Sequence, residues 1–236
     1  MPSQDYAAPA GEQGPYDRIK AMILSSAIPP DTKLNIDRLS RELGVSQTPV
    51  REALQRLEGA KLVVSKKPRG LWTTPLLSPD ELADLMEVRL LLEPWAARAV
   101  AVDRASNPGR QMLAEVERFL AAEDEDRDGY GRAQHDQLFH ELIFRAVRND
   151  FLRNSYAQLH AHLHLFRLNP VDTGAEQTLN EHRTVAEAIL NADADAAETA
   201  MRGHLTGALD RFAAGLDGSA HADPENIRSS VLAPRR

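Results

Sequence analysis

The sequence predicts a mainly α-helical chain: an N-terminal winged helix-turn-helix with a small β-hairpin wing, then an all-α antiparallel bundle of six to seven helices. Three observations carry this expectation. Apolar residues recur at helical spacing through most of the chain. Gly44 separates two short helical stretches, one ending at Leu43 and the next beginning near Gln47. Two β-prone runs flank the basic tip Lys66-Lys67-Pro68-Arg69-Gly70 directly after those helices, and no convincing strand follows.

Taken in order, residues 1–14 lack apolar periodicity and read as a disordered tail. Residues 15–75 form the first domain. Tyr16 to Ala27 carries Ile19 and Ile23 at helical spacing and is ended by Pro29-Pro30. IDRLSREL, residues 36–43, puts Ile36, Leu39 and Leu43 on one face, and after the Gly44 turn Val50, Leu54 and Leu57 point inward from the next helix. Pro49 is tolerated there because it falls in a first turn. The stretch TTPLLSPD, residues 73–80, marks the domain boundary, and its Ser78 is an N-cap with Pro79 at the first helical position. Residues 76–216 form the second domain, with helices expected near 79–103, 108–124, 130–147, 150–168, 175–191 and 193–215 and a kink at Pro94. The acidic run at 123–128 reads as a solvated helix end and loop, and residues 217–236 as a second disordered tail.

Composition narrows the function. The chain has no cysteine, which excludes disulfides, thiolate metal sites and cysteine nucleophiles. No apolar run approaches the roughly 20 residues that span a bilayer, and no charged-then-apolar leader opens the chain, so a cytoplasmic protein with no membrane partner is expected. The net charge of −7 is unevenly spread: residues 16–75 carry 11 Lys and Arg against 6 Asp and Glu. A basic head on an acidic body fits a DNA-contacting module, and equally a partner-binding one.

A helix-turn-helix reads double-stranded DNA by laying its second helix in the major groove while the first braces it. SQTPVRE would then face base edges: Arg51 has the donor fork for guanine, Gln47 the amide for adenine, and Ser46 and Thr48 suit phosphate or base contacts. Arg38 on the bracing helix, and Lys67, Arg69 and Gly70 in the wing, are placed for backbone or minor-groove contact. The same topology also occurs in proteins that bind no DNA, where Arg51 would be a solvated surface residue.

VSQTPVREALQRLEGAKLV, with IPPDTKLNIDRLSRELG before it and PRG after it, resembles the winged-helix domain of the GntR transcription regulators. EVRLLLEPWAARAVA (87–101), DQLFHELI (136–143), EHRTVAEAIL (181–190) and MRGHL (201–205) resemble their FadR-type C-terminal effector (FCD) domain. The similarity runs from about Tyr16 to Phe212. It implies a homodimeric regulator, in the commoner mode a repressor, whose operator affinity changes when an organic acid binds the helical domain. Family members often carry Arg at the position of Gln47, so the resemblance transfers no operator sequence.

Asp136 and His140 are spaced i, i+4 and project from one face of a helix, and His182 and His204 lie on two further helices. Facing helices of a bundle can bring such a set to one interior point, where a carboxylate and three imidazoles suit Zn, Ni, Mn or Fe with positions left open. Singly, each histidine is more often a core or surface residue. The four match the positions that hold metal in the metal-containing branch of the family, which implies one divalent ion per chain, zinc foremost, and a carboxylate effector. Arg89, in the family-matching EVR, pairs either with an effector carboxylate or with Glu93 four residues on, and Arg167 is a second pocket candidate. Asn149 matches a family residue and reads as an N-cap. His135 must point away from the face of Asp136. His160, His162 and His164 scatter around a helix, although His160 and His164 share a face.

The runner-up reading is a metal-dependent helical-bundle enzyme acting on a small organic acid. The sequence has no paired Glu-x-x-His, no Gly-rich phosphate loop, no Gly-x-Ser-x-Gly and no His-Glu-x-x-His, and an enzyme would leave the basic head unexplained.

Overall fold

A computed structural model describes residues 14–67, 70–123, 127, 129–168 and 174–216. The chain forms two compact units that part chiefly between Thr74 and Pro75. Both expected tails, apart from Gly14, lie outside the described residues, as do Pro68, Arg69 and most of the acidic run.

The first unit contains α1 (Pro15–Leu24), α2 (Ile36–Leu43), α3 (Gln47–Gly59), β1 (Val63–Lys66) and β2 (Gly70–Thr73). Ile19 and Ile23 of α1 are buried, as are Leu39 and Leu43 of α2 and Val50, Ala53, Leu54 and Leu57 of α3. Asn35 caps α2 by accepting from the Arg38 amide at 3.0 Å. At its other end Gly44 takes φ 71°, a left-handed conformation that costs glycine no Cβ clash, and its N–H reaches the Arg41 and Ser40 carbonyls. That turn frees α3 to start at Gln47, with Pro49 in the first turn where no amide partner is missed. β1 and β2 pair antiparallel from Val63↔Thr73 to Lys66↔Gly70. Buried Thr73 fastens the hairpin to the preceding loop, its hydroxyl donating to the Pro29 carbonyl at 2.7 Å and accepting from the Thr32 amide at 2.9 Å.

The second unit is wholly helical among its described residues: α4 (Pro79–Val102), α5 (Gly109–Leu120), α6 (Gly129–Ala146), α7 (Asp150–Ala157), α8 (Ala161–Leu168), α9 (Ala175–Leu190) and α10 (Ala194–Leu216). Ser78 and Glu81 close a reciprocal capping box at the start of α4, which runs on through Pro94. Asn149 caps α7, accepting from the Leu152 amide at 3.1 Å. α10 packs along α4 and α9, while α5 packs on α6 and α9. The core between them includes Met86, Ala97, Met112, Phe139, Val185 and Met201.

One expected helix is two. Residues 150–168 break between α7 and α8, where His160 sits at φ 47°. α7 buries none of its residues, whereas α8 buries six of eight, so the break turns the chain from the surface into the bundle. No Gly or Pro marks the place, and periodicity alone reads through it.

Candidate functional site

On the first unit, Ser46, Gln47, Thr48 and Arg51 are all exposed along the start of α3, and Arg38 is exposed on α2, 3.8 Å from Glu42. Gln47 is not free-standing. Its amide donates to the Asp37 carboxylate and accepts from the Arg51 guanidinium at 3.1 Å, so three side chains of the two helices form one surface chain. Lys67 is exposed beside the hairpin, Gly70 opens β2 half-buried, and Arg69 lies outside the described residues. Trp72 is half-buried beneath Lys66 and bridges to Lys33, so it packs within the hairpin.

On the second unit, α6 supplies Asp136 and His140 one turn apart, α9 supplies His182 and α10 supplies His204. One ligand atom from each lies within 4.8 Å of the others, and all four residues are buried. The Asp136 carboxylate oxygen Oδ1 stands 3.6 Å from Nε2 of His140 and 3.8 Å from Nε2 of His182. Nε2 of His182 and of His204 is buried with no hydrogen-bond partner, and such orphaned atoms carry a desolvation cost.

The outer nitrogens are held from behind. Nδ1 of His204 meets Glu181 Oε2 at 2.9 Å, and Arg211 forks onto the same carboxylate at 2.8 and 2.7 Å. Nδ1 of His140 lies 2.7 Å from Glu93 Oε2, an ion-pair distance without hydrogen-bond alignment, and Arg89 Nε donates to Glu93 at 2.5 Å. Nδ1 of His182 meets Nε2 of His135 at 3.1 Å, and Nδ1 of His135 meets Glu115 Oε1 at 3.0 Å. Phe139 stacks on His182 with centroids 3.8 Å apart.

These contacts shape the charge. Burial raises Glu93, Glu115 and Glu181, but the arginine and histidine beside each outweigh it and bring all three down to about 2. Burial likewise works against the Asp136 carboxylate, yet His140, Arg89 and His182 hold it well below the usual range. Burial also disfavours the His140 imidazolium, but Glu93 and Asp136 overcome this and push it up to about 9. His182 and His204 are pushed down, first by burial. The two carboxylates thus favour a proton on His140. A divalent cation would displace it, and the donor set of three nitrogens and a carboxylate oxygen fits such an ion.

Two clefts reach Asp136. One, about 20 Å³, is lined by Arg132, His135 and Phe119 among others. The second, also about 20 Å³, is lined by Arg89, His204 and Arg211 among others, and Phe166 and Thr178 border both. Guanidinium groups line both clefts, those of Arg89 and Arg211 already paired with Glu93 and Glu181. Of its two expected readings Arg89 shows the pairing with Glu93, and it also lines the second cleft, with one amino group 3.3 Å from His140 Nε2. Arg167 is buried on α8, where desolvation lowers it to about 10, and does not line either cleft. His164, which burial and Arg167 lower to about 4, lies outside both linings as well.

Sequence reasoning missed Glu115, His135, Glu181, Arg132 and Arg211, and took Glu93 only as a salt-bridge partner. His135, expected to point away from the Asp136 face, meets the back of His182. Only the register between α6 and α9 shows this contact, and the sequence alone does not reveal it.

Comparison with known proteins adds to this geometry. Residues 13–72 match the family model described as bacterial regulatory proteins, gntR family, and residues 84–207 match that of the FCD domain. The HTH-type transcriptional regulator YdhC of Bacillus subtilis (strain 168) is 29% identical over 196 residues, covering 80% of this chain and 85% of its own. The galactonate operon transcriptional repressor of Escherichia coli (strain K12) is 27% identical over 183 residues, covering 69% of this chain and 79% of that one. Among solved structures, E. coli McbR/YncC shares the fold with a TM-score of 0.66 at 21% identity, over 84% of this chain and 94% of that one. No described helix is long and apolar enough to cross a membrane.

Proposed function

We propose, for a chain that belongs to the gntR family of bacterial regulatory proteins and carries an FCD domain, that it is a homodimeric repressor whose hold on operator DNA is set by a small organic acid bound at a metal site. Its family and relatives are transcription regulators, which sets aside the enzyme reading of the helical unit. In this proposal residues 15–75 bind double-stranded DNA, and residues 76–216 bind the effector and dimerise in the cytoplasm.

Arg51 reads a base from the exposed start of α3, with Gln47 and Thr48 beside it. Ser46, Arg38, Lys67, Arg69 and Gly70 serve phosphate or minor-groove contacts. Asp136, His140, His182 and His204 hold one divalent ion, zinc before nickel, manganese or iron. That ion supplies Lewis acidity and open positions for a carboxylate. Arg89 and Arg211 orient the acid from the second cleft, and Phe166 covers its apolar part. Arg167, buried and away from the clefts, is a structural residue in this scheme. An effector that prefers one bundle arrangement by roughly 1–3 kcal/mol changes operator affinity ~5–150-fold. Repression is supported by the E. coli relative, a repressor of the galactonate operon.

Dimerisation is supported by α4. Val88, Leu91, Trp95 and Val102 follow one another at intervals of three, four and seven residues and are 37%, 69%, 52% and 64% exposed. A stripe at that spacing is self-complementary and suits a second copy of the same helix.

The observation that carries the proposal is the convergence of Asp136 with the partnerless buried Nε2 atoms of His182 and His204. The test is a thermal-shift screen of mono- and dicarboxylic acids on metal-loaded and chelated protein, followed by operator titration with any acid that binds. A shift confined to the metal-loaded form, with altered operator affinity, supports the reading. No shift in either form removes the metal–carboxylate mechanism.

A further inference from the structure

The three histidines of the cluster are not supported alike. His140 and His204 each have a carboxylate directly behind the ring, Glu93 and Glu181. His182 has another imidazole, and the carboxylate Glu115 stands one ring further back. We infer that His135 is a positioning residue: paired with Glu115, it holds His182 as the tautomer that turns a bare Nε2 into the cluster. The inference rests on the metal reading above.

The proton count follows from the carboxylate inward. Arg118 forks onto both Glu115 oxygens at 2.7 Å, so the carboxylate is ionised and can only accept. Nδ1 of His135, 3.0 Å from Glu115 Oε1, must then carry the proton and donate. In a neutral ring this leaves Nε2 of His135 as an acceptor, and its neighbour at 3.1 Å is Nδ1 of His182. That nitrogen carries the second proton, which leaves a lone pair on Nε2 of His182. The same Nε2 faces Asp136 and has no hydrogen-bond partner. The other His182 tautomer would aim an N–H into the cluster and block coordination there.

Packing keeps the relay in place. His135 is 3% exposed and stacks on Phe119 with centroids 4.6 Å apart and planes 16° from parallel, while Phe139 lies flat on His182. The stacking fixes the plane of each ring, and within that plane a half-turn of His135 would take its nitrogens off Glu115 and His182. Outer partners of metal-bound histidines are worth ~10–100-fold in metal affinity.

The test compares His135→Leu with His135→Gln in the full chain. The glutamine amide can donate to Glu115 and accept from His182, so it restores the relay without a ring, and leucine can do neither. Zinc affinity is measured by competition with a chromophoric chelator, the ligand field by cobalt(II) absorption, and the His182 tautomer by nitrogen-15 NMR of the metal-free protein. We expect ~10–100-fold weaker zinc binding and an altered cobalt spectrum for His135→Leu. His135→Gln should stay within a few-fold of wild type, and wild-type His182 should carry its proton on Nδ1. Glu115→Ala, made at the far end of the relay, should weaken zinc in the same direction if His135→Leu fails to fold. Native affinity in both disruptive variants, or a glutamine variant as weak as the leucine one, overturns the inference while leaving the metal reading intact. Wild-type protein that binds no zinc overturns both.

Discussion

Glu181 sits at the junction of two arginine-to-glutamate hydrogen bonds and one contact with His204. A carboxylate held down to about 2 from its ordinary 4.5 stabilises the fold wherever it is charged in the native state. The sign is that of a depressed acid: the contribution is complete above about pH 4.5 and fades as pH falls through about 2. Glu181→Gln should therefore lower the thermal midpoint of metal-free protein at about pH 6, and its deficit against wild type should close between about pH 4.5 and about pH 2. A deficit that stays constant over that range would show that Glu181 acts by packing alone. Gly207 bears on the same pair, since a Cβ there would lie 3.0 Å from Glu181 Oε1 and 3.1 Å from Arg211. At the DNA-facing end, Arg51→Ala should cost about 1–3 kcal/mol at the operator and relax base choice at one position. Operator titrations against single-base variants decide it, and an equal loss on every sequence would make Arg51 a phosphate contact. Asp136 and His140 were legible as a pair because i, i+4 spacing makes them neighbours on any helix, while His182 and His204 joined them only through the family resemblance. Glu115, His135 and Glu181 were not, because their roles depend on which faces of α5, α6, α9 and α10 meet.

Two glycines shape elements for opposite reasons, and substitution separates them. Gly44 has φ 71° and open space where a Cβ would point, so its constraint is conformational. Gly44→Ala should destabilise the first unit by about 1–2 kcal/mol, and Gly44→Asn should recover much of that because asparagine tolerates the left-handed region. Gly109 begins α5 directly over the end of α9, where a Cβ would stand 2.5 Å from the Leu190 amide nitrogen. Backbone cannot yield there as a flexible side chain can, so Gly109→Ala should cost about 1–3 kcal/mol and asparagine should be no better. Thermal unfolding of the four variants checks both, and a stable Gly109→Ala would mean that α5 and α9 slide apart without cost. The turn at Gly44 could be read from sequence because a glycine after a helix has one common use. The close approach at Gly109 could not, since it is set by the helix that packs opposite, nor could the α7–α8 break at His160, which no Gly or Pro marks.

At the scale of the whole molecule, the basic head and acidic body were visible in the distribution of charge, while the surface that would join two copies depends on which apolar residues the bundle leaves out. The spacing of apolar residues along α4 does not separate Leu90, which is buried, from Leu91, which is 69% exposed. An isologous interface built on this stripe brings each Trp95 close to the dyad, so one substitution is felt twice. Trp95→Glu replaces an apolar contact with two like charges facing one another across the dyad, and desolvating them has no compensating partner. The expected outcome is a monomer in sedimentation at micromolar concentration, with zinc content unchanged because Trp95 is absent from the cluster and from the linings of both clefts. Affinity for a palindromic operator should collapse, because two heads no longer share one binding event, while affinity for an isolated half-site should persist. A Trp95→Glu protein that still sediments as a dimer would move the interface off α4. A monomer that kept full operator affinity would show that the two heads meet only on DNA, and the effector would then have to act within a single chain.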